Sequence, residues 1–193
     1  MSLGKQFESE LCTKINQIFL EENIKAIAYR HFEYKMNEQL FDIFVDQRGI
    51  ELYLAIECKS MDYSKNKSIN FRMNFHTIDE DGQIPREDHF LWLSGRAGIV
   101  ALELRNYNAN KKIMVLLGWP AIYKPWKEGH KSIDLKDLSQ YHTVVRRGGE
   151  WQLTLQDLLS VNYLNKKVEP SKKALRASLT GQKWPKGGSK HKK

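Results

Sequence analysis

Glu57 and Lys59 stand two residues apart in an apolar segment that has the composition of a β-strand. Because side chains alternate along a strand, both should project from one face, with Cys58 on the other. Asp42 lies in a preceding apolar segment, and the turn residues near Gly49 predict that the two segments form a β-hairpin. Two carboxylates and an ammonium group are therefore expected to converge on one face of a sheet.

These acidic side chains could bind a divalent metal ion. A turn centred near Arg48 and Gly49 sets Asp42 opposite Ala55 and diagonal to Glu57 on the same face. Carboxylates brought together repel each other unless a cation neutralises them, and their hard oxygen atoms suit Mg²⁺, for which Mn²⁺ can substitute. Such a metal activates water and stabilises charge on a phosphodiester, while a lysine orients the water or contacts the phosphate. The alternative is an exposed polar face on a half-solvated hairpin.

Helices and strands around this hairpin must position the acids. Apolar residues recur at spacings of three and four over residues 4–22, which predicts a helix with one buried stripe. A short segment at residues 26–32 precedes the hairpin, whose strands cover residues 41–46 and 51–59. Residues 60–84 are polar without a clear period, which is typical of a long loop or a loosely structured insert.

The second half of the chain continues the alternation of helix and strand. A helix is predicted to open at Pro85 and to end at Gly95 or Gly98, because proline favours the first helical turn and glycine the residue after the last. Short apolar runs at residues 99–104 and 113–117 predict two strands.

The remaining segments complete the predicted fold. Residues 119–123 favour a helix or a turn, and residues 132–160 predict a short polar helix, a turn at Gly148 and Gly149, and a final helix from Thr154. The order α-β-β-insert-α-β-β-α predicts an α/β fold with a mixed central β-sheet flanked by helices.

Length and composition fit one folded domain followed by a basic tail. The chain has 193 residues, of which 41% are hydrophobic and 28% charged, enough for a single core. Ten Lys and Arg residues follow residue 165 with a single acid, so residues 166–193 carry a net charge of +9 and residues 1–165 carry −1, which together give the net charge of +8. Residues 1–165 are expected to form the domain, and the tail to be a disordered arm that attracts phosphates or a solubilising end.

Several other protein classes are not supported by the sequence. No apolar run is long enough to span a membrane and the N-terminal residues lack a signal-like apolar core, so an intracellular protein without a membrane partner is expected. Cys12 and Cys58 match no disulfide or zinc pattern, which predicts reduced, buried thiols. The six histidines lack zinc-hydrolase spacings, and no serine or cysteine nucleophile signature or small-molecule cofactor motif is found.

Three passages together resemble the PD-(D/E)xK nuclease superfamily. They are Gly-Lys-Gln-Phe-Glu-Ser-Glu-Leu at residues 4–11, Phe-Asp-Ile at residues 41–43 and Ile-Glu-Cys-Lys at residues 56–59. Within the superfamily the likeness is to Holliday-junction resolvases of the archaeal Hjc type. Weaker similarities to the bacterial RecU type lie at residues 68–71, 98–102 and 131–135.

The resemblance implies a restriction-endonuclease-like fold and a metal-dependent endonuclease that resolves four-way DNA junctions in recombination and repair. It assigns Glu8, Asp42 and Glu57 to a Mg²⁺ site, to which the Cys58 carbonyl adds a ligand, and it makes Lys59 a catalytic residue. A two-fold symmetric junction further implies a homodimer with two active sites. Considered without the resemblance, Glu8 could simply be a solvated acid in the first turn of its helix.

Six basic side chains are candidates for contacts with the DNA backbone, which would be recognised through shape and phosphates more than base edges. Phe71 and Phe75 of the predicted insert are interleaved with two of them and would suit base stacking. The candidate phosphate contacts are Lys5, Arg30, Lys35, Lys67, Arg72 and Arg96. Ordinary surface charge is the alternative role for such residues.

Other functions fit the same residues. One alternative is a restriction-like or repair nuclease that acts on duplex or flap DNA. Another is a nuclease-derived DNA-binding module without turnover, although the presence of all three acids and Lys59 favours an enzyme. RNA is a more distant substrate class. The natural DNA target could be chromosomal, plasmid or phage DNA inside the cell.

Overall fold

The architecture is built on one large β-sheet. A computed structural model describes residues 3–31, 40–47, 52–77, 82–108 and 111–166. The helices are α1 (Leu3–Glu21), α2 (Phe71–Asn74), α3 (Gln83–Ser94), α4 (Pro120–Lys127) and α5 (Leu155–Lys166). The strands are β1 (Ala26–Arg30), β2 (Ile43–Gln47), β3 (Tyr53–Asp62), β4 (Ser68–Asn70), β5 (Ala97–Tyr107), β6 (Lys111–Gly118), β7 (Ser132–Asp134), β8 (His142–Arg147) and β9 (Glu150–Trp151).

The large sheet mixes parallel and antiparallel pairs. Its strand order is β1-β2-β3-β5-β6-β8-β9, and β4 pairs with β7 in a small separate sheet. β3 and β5 run parallel, whereas the other neighbours in the large sheet are antiparallel. This confirms the predicted α/β class with a mixed central sheet flanked by helices, an arrangement consistent with the restriction-endonuclease-like fold.

Alternate residues of the central strands serve two hydrophobic cores on opposite faces of the sheet. Leu54 and Ile56 of β3 pack in the core that also contains the apolar stripes of α1 and α5. Ala55 and Met61 of the same strand pack in the core formed with α2, α3 and α4. Since strand side chains alternate between faces, residues 57 and 59 belong to the side of the sheet that α3 covers.

Helix α1 confirms the helix predicted over residues 4–22 and is tied to the neighbouring strand. Its apolar stripe is buried, and Phe7 meets Trp151 edge to face with ring centroids 5.7 Å apart. The Asn16 side chain donates to the Ala28 carbonyl at 2.7 Å and accepts from the Ala28 amide at 2.9 Å. This pair of hydrogen bonds joins α1 to β1. No secondary structure was predicted for the short segment that contains β1.

The prediction of a long loop over residues 60–84 is wrong. β3 continues to Asp62, and β4 and α2 follow before the chain reaches α3. Phe71 and Phe75 are 2% and 0% exposed, so they fill the core and do not stack on bases. The local sequence could not reveal this because β4 depends on pairing with β7, more than sixty residues away.

The boundaries of α3 depart from the prediction at one end. The helix begins at Gln83, two residues before Pro85, because the hydroxyl of Thr77 in the preceding segment accepts the Ile84 amide at 3.0 Å. It ends as predicted at Gly95, whose φ of 70° is left-handed and whose amide donates to the Leu91 carbonyl at 2.9 Å.

The C-terminal half also contains strands that were not predicted. The two strands at residues 99–104 and 113–117 are confirmed as the longer β5 and β6, and residues 119–123 lie in α4 or at its start. Between residues 132 and 151 the chain forms β7, a single 3₁₀ turn, β8 and β9, where only a polar helix and a turn were predicted. The final helix is confirmed as α5. No helix in the described ranges is long and apolar enough to cross a membrane.

Candidate active site

The β2–β3 hairpin brings Asp42 level with Glu57. Phe44 pairs with Ala55, so the predicted pairing of Asp42 with Ala55 is wrong. The amide of Asp42 donates to the Ile56 carbonyl at 3.1 Å. The observed register therefore differs from the predicted one by two residues along β3. Asp42 and Glu57 nevertheless lie close enough for their charges to interact, as predicted.

Four side chains from β3 and α3 form a hydrogen-bonded cluster beside Asp42. Glu57 is 4% exposed, and its Oε1 lies 2.5 Å from the Lys59 ammonium. Gln83, the first residue of α3, donates through Nε2 to Glu57 Oε1 at 2.8 Å and to Glu87 Oε1 at 2.6 Å. Lys59 Nζ also donates to Gln83 Oε1 at 3.5 Å. The predicted pair of Glu57 and Lys59 therefore belongs to a larger cluster that includes Gln83 and Glu87 of α3.

Lys59 is a protonated cation in this environment. Burial by itself lowers the pKa of the Lys59 ammonium, but the charge of Glu57 and the hydrogen bond with it outweigh burial, so the pKa is raised. The ammonium lies 4.9 Å from the centre of the Phe75 ring, which packs against it. A lysine held this way can donate hydrogen bonds and positive charge, but it does not serve as a base near neutral pH.

The surroundings of Asp42 disfavour the charged form of its carboxyl group. Burial and the neighbouring charge of Glu57 raise the pKa of Asp42 to about 8, and the charge of Glu8 acts in the same direction. The Cys58 amide, which donates to Asp42 Oδ2 at 2.7 Å, opposes this shift. Three acids thus interact around the start of β2, and a cation placed among them would relieve their repulsion.

Substituting Asp42 with Asn should stabilise the metal-free protein. Asn presents the same acceptor oxygen to the Cys58 amide without a charge. Between the ordinary pKa of 3.8 and about 8, the Asp42 carboxyl is ionised in the unfolded chain and neutral in the fold, so its contribution to stability is lost as the pH rises. In chelator, we expect the thermal midpoint of Asp42→Asn to exceed that of the wild type by about 3 °C or more at pH 8 and by less at pH 5.

A thermal unfolding series in chelator checks this expectation, with Asp46→Asn as its control. Asp46 lies on β2, which begins at the residue after Asp42, and pairs with Arg96, with Asp46 Oδ1 2.7 Å from Arg96 Nη1, so its substitution should lower the midpoint. A lower midpoint for Asp42→Asn at both pH values would contradict the electrostatic description of the site.

Glu8 lies at the edge of this acidic group and is paired with Arg30. Arg30 Nη2 lies 2.5 Å from Glu8 Oε2, and both side chains are more than four-fifths buried. Arg30, a candidate DNA contact, therefore neutralises one of the candidate metal ligands. The hydrogen bonds of Asn16 that join α1 to β1 bring these two residues together.

The donor atoms of Asp42 and Glu57 suit a divalent metal ion, although a three-acid site is not assembled. In the part of the chain that the structure describes, no group of three His, Cys, Asp or Glu side chains is arranged so that it could hold a metal. Mg²⁺, however, keeps several water ligands and is commonly held by one or two carboxylates. Asp42 and Glu57 fit that requirement, while Glu8 is occupied by Arg30.

Both cysteines are free thiols with suppressed reactivity. Cys12 is buried and Cys58 is half-buried. Burial raises the pKa of each thiol, and the charge of Asp42 adds to the effect at Cys58. Thiolate chemistry is therefore disfavoured, in agreement with the sequence analysis. The role predicted for the Cys58 carbonyl as a metal ligand stays a prediction.

The candidate DNA contacts fall into different environments. Lys5 on α1, Lys67 before β4 and Arg72 on α2 are exposed. The Lys67 ammonium lies 5.6 Å from the centre of the Tyr63 ring. Lys35 lies outside the described residues.

Arg96 is held inside the fold. Its Nη1 donates to the carbonyls of Val45 at 3.3 Å and Leu54 at 3.1 Å, and it pairs with Asp46. The guanidinium carbon lies 3.9 Å from the centre of the Tyr53 ring. These contacts tie β2 and β3 to the start of β5, so Arg96 has a structural role in place of the predicted DNA contact.

Gln83 and Glu87 were not identified from the sequence. They enter the site because α3 packs across β3, which no local pattern reveals. One signal was present: Glu87 occupies the apolar stripe of α3 together with Ile84 and Leu91, a helical position where a carboxyl group is unusual.

No family model matches the chain, and no curated protein matches it. Among solved structures, the chain is similar to Hjc from Archaeoglobus fulgidus, described as a Holliday junction resolvase from an archaeal hyperthermophile. The identity is 16%, the match covers 83% of this chain and 93% of that one, and the TM-score is 0.42. A likeness at this level supports no conclusion about the activity of this chain.

Proposed function

We propose that the protein is a metal-dependent DNA endonuclease that cuts four-way junctions. The observation that carries the proposal is the grouping of Asp42, just before β2, with Glu57 and a protonated Lys59 in the middle of β3. Two carboxylates beside a lysine are a donor set for a hard divalent ion and a phosphate ester. The choice of a branched substrate rests on the sequence resemblance to Holliday-junction resolvases.

In this proposal Asp42 and Glu57 hold Mg²⁺ or Mn²⁺, with the Cys58 carbonyl as a further ligand. The bound metal supplies an activated water and neutralises charge on the phosphate. Lys59 is held by Glu57 and Gln83 and donates to the water or to a phosphate oxygen. Hydrolysis would add one water molecule to phosphorus and break one P–O bond, with one proton of that water passing to the leaving oxygen.

Exposed basic residues beside the site suit a DNA substrate. Arg72 lies on α2, three residues before the Phe75 ring that packs on Lys59, and Lys67 precedes the same β4–α2 unit. Both are exposed, and their charges would attract backbone phosphates near the point of cleavage. In our proposal, a homodimer presents two such sites to the two strands that a symmetric junction offers.

Replacing Lys67 and Arg72 together by Ala should weaken junction binding and its dependence on salt. Each phosphate contact releases counterions, so loss of two contacts should reduce the slope of log affinity against log salt by about two. Fluorescence anisotropy of a labelled junction across a salt series measures this slope. Lys25→Ala, an exposed change just before β1, should leave the slope unchanged; an unaltered slope in the double variant would show that DNA binds elsewhere.

A cleavage assay tests the proposed function. A labelled four-way junction, a linear duplex, a flap and a single strand of the same sequences are incubated with the protein in Mg²⁺ or in chelator. We expect paired symmetric nicks in the junction in Mg²⁺ alone. Equal cutting of linear duplex would indicate a restriction-like or repair nuclease, whereas tight binding without cutting would indicate a DNA-binding module.

A further inference from the structure

Glu87 occupies a position where a carboxyl group is costly to bury. It lies on the face of α3 that packs against the sheet, between Ile84 and Leu91, and it is 0% exposed. Its burial is as complete as that of the apolar residues around it. Polar groups in such positions are normally paired, and those kept despite poor pairing commonly serve a functional site.

The pairing of Glu87 is one-sided. Its Oε1 accepts a hydrogen bond from Gln83 Nε2 at 2.6 Å, whereas its Oε2 has no hydrogen-bond partner among the described residues. A carboxyl that served the stability of the fold would be expected to satisfy both oxygens. The carboxyl of Glu87 is directed instead to a single group, the amide of Gln83.

This contact fixes which way round the Gln83 amide lies. Its Nε2 reaches Glu57 and Glu87, and its Oε1 reaches the Lys59 ammonium. If the amide were rotated by half a turn, an oxygen would face the acceptor oxygens of Glu57 and Glu87, and an NH₂ group would face an ammonium. Each acceptor on the Nε2 side therefore favours the orientation in which Gln83 accepts from Lys59.

We propose that Glu87 is a positioning residue for the hydrolytic site. It fixes the orientation of the Gln83 amide, which in turn holds the side chains of Lys59 and Glu57 in place. This inference rests on the proposed function for its kinetic consequence, but the orientation of the Gln83 amide can be measured without activity. Glu87 itself contacts neither substrate nor metal in this scheme. Its effect passes through one hydrogen bond.

Two variants and a matched control separate positioning from stability. Glu87→Met removes the acceptor and keeps an unbranched side chain of similar length, and Glu87→Gln keeps an acceptor oxygen at the same place. Glu103→Met makes the same change at another buried Glu, which is 2% exposed and pairs with Lys112 and Ser60. The measurements are steady-state junction cleavage, which gives kcat and KM, thermal midpoints, and NMR of the Gln83 side-chain amide, assigned by comparison with Gln83→Met.

We expect Glu87→Met to lower kcat about tenfold to a hundredfold with little change in KM, and Glu87→Gln to recover most of the rate. The Gln83 amide proton that faces Glu87 should be shifted downfield and protected from exchange in the wild type and in Glu87→Gln, and not in Glu87→Met, whereas the proton that faces Glu57 should be hydrogen-bonded in all three proteins. In a Gln83→Met background, Glu87→Met should have no further effect on kcat, since both act through the same bond. Glu103→Met should leave kcat and the Gln83 resonances unchanged.

The proposal is overturned if Glu87→Met keeps the wild-type kcat and Gln83 resonances, or if its effect on kcat persists undiminished without Gln83. If Glu87→Met fails to fold, Glu87→Gln decides the question: it must preserve the downfield, protected amide resonances of Gln83. A wild-type protein that cuts none of the DNA substrates would contradict the proposed function. The amide resonances would still support or overturn the role of Glu87.

Discussion

Asp42→Asn should reduce junction cleavage by at least about a thousandfold, the largest effect expected of any single substitution in this protein. Asp42 stands level with Glu57 across the hairpin, and Asn keeps its shape and its acceptor for the Cys58 amide. The substitution removes one of the two carboxylates proposed to bind a hard cation. Single-turnover cleavage of a labelled junction in Mg²⁺ measures the effect.

The same variant separates catalysis from folding. We expect Asp42→Asn to be inactive and yet more stable than the wild type in chelator, since the carboxyl is placed where its charge is unfavourable. Asp46→Asn, the matched change on β2, should cut junctions within about threefold of the wild-type rate when assayed below its thermal midpoint. Full activity of Asp42→Asn would remove Asp42 from the site.

Lys59→Met should slow cleavage by about a hundredfold to a thousandfold, as expected for loss of one charged donor that acts on the transition state. Methionine retains the apolar stem that packs near Phe75 but supplies neither the charge nor the hydrogen bonds to Glu57 and Gln83. We expect the maximal single-turnover rate to fall with little change in junction affinity, as measured by single-turnover rates over a range of protein concentrations.

Lys112→Met is a closely matched control for Lys59→Met. Lys112 lies 3.0 Å from Glu103, so each substitution leaves a buried glutamate without its lysine and should destabilise the fold similarly. Only the change at Lys59 should affect the chemical step. An equal loss of rate in both variants would mean that the effect at Lys59 reflects stability.

The parts of the fold that could be predicted depend on local pattern. The stripe of α1, the hairpin of β2 and β3, and the glycine that ends α3 each leave a signature within about twenty residues, and each is confirmed. The strands β4, β7 and β8 leave none. They are short or partly exposed and owe their structure to pairing with distant segments.

The candidate site shows the same division. Glu57 and Lys59 are neighbours on one strand, so alternation alone predicted their grouping. The residue of β3 that lies opposite Asp42 depends on the strand register, which was predicted two residues away from the observed one. The burial of Arg96 depends on its contacts with β2 and β3 from a position just before β5. Gln83 and Glu87 required knowledge of how α3 crosses the sheet, which follows from packing of the whole core.

We propose that Asp42 and Glu57 bind a catalytic divalent metal. Anomalous diffraction from Mn²⁺-soaked crystals can locate such a metal directly. We predict a peak within ligand distance of both carboxylates in the wild type, and no peak there in crystals of Asp42→Asn. A Mn²⁺ peak that persists in Asp42→Asn, or the absence of any peak beside these two acids in a protein that cuts DNA with Mn²⁺, would contradict the account.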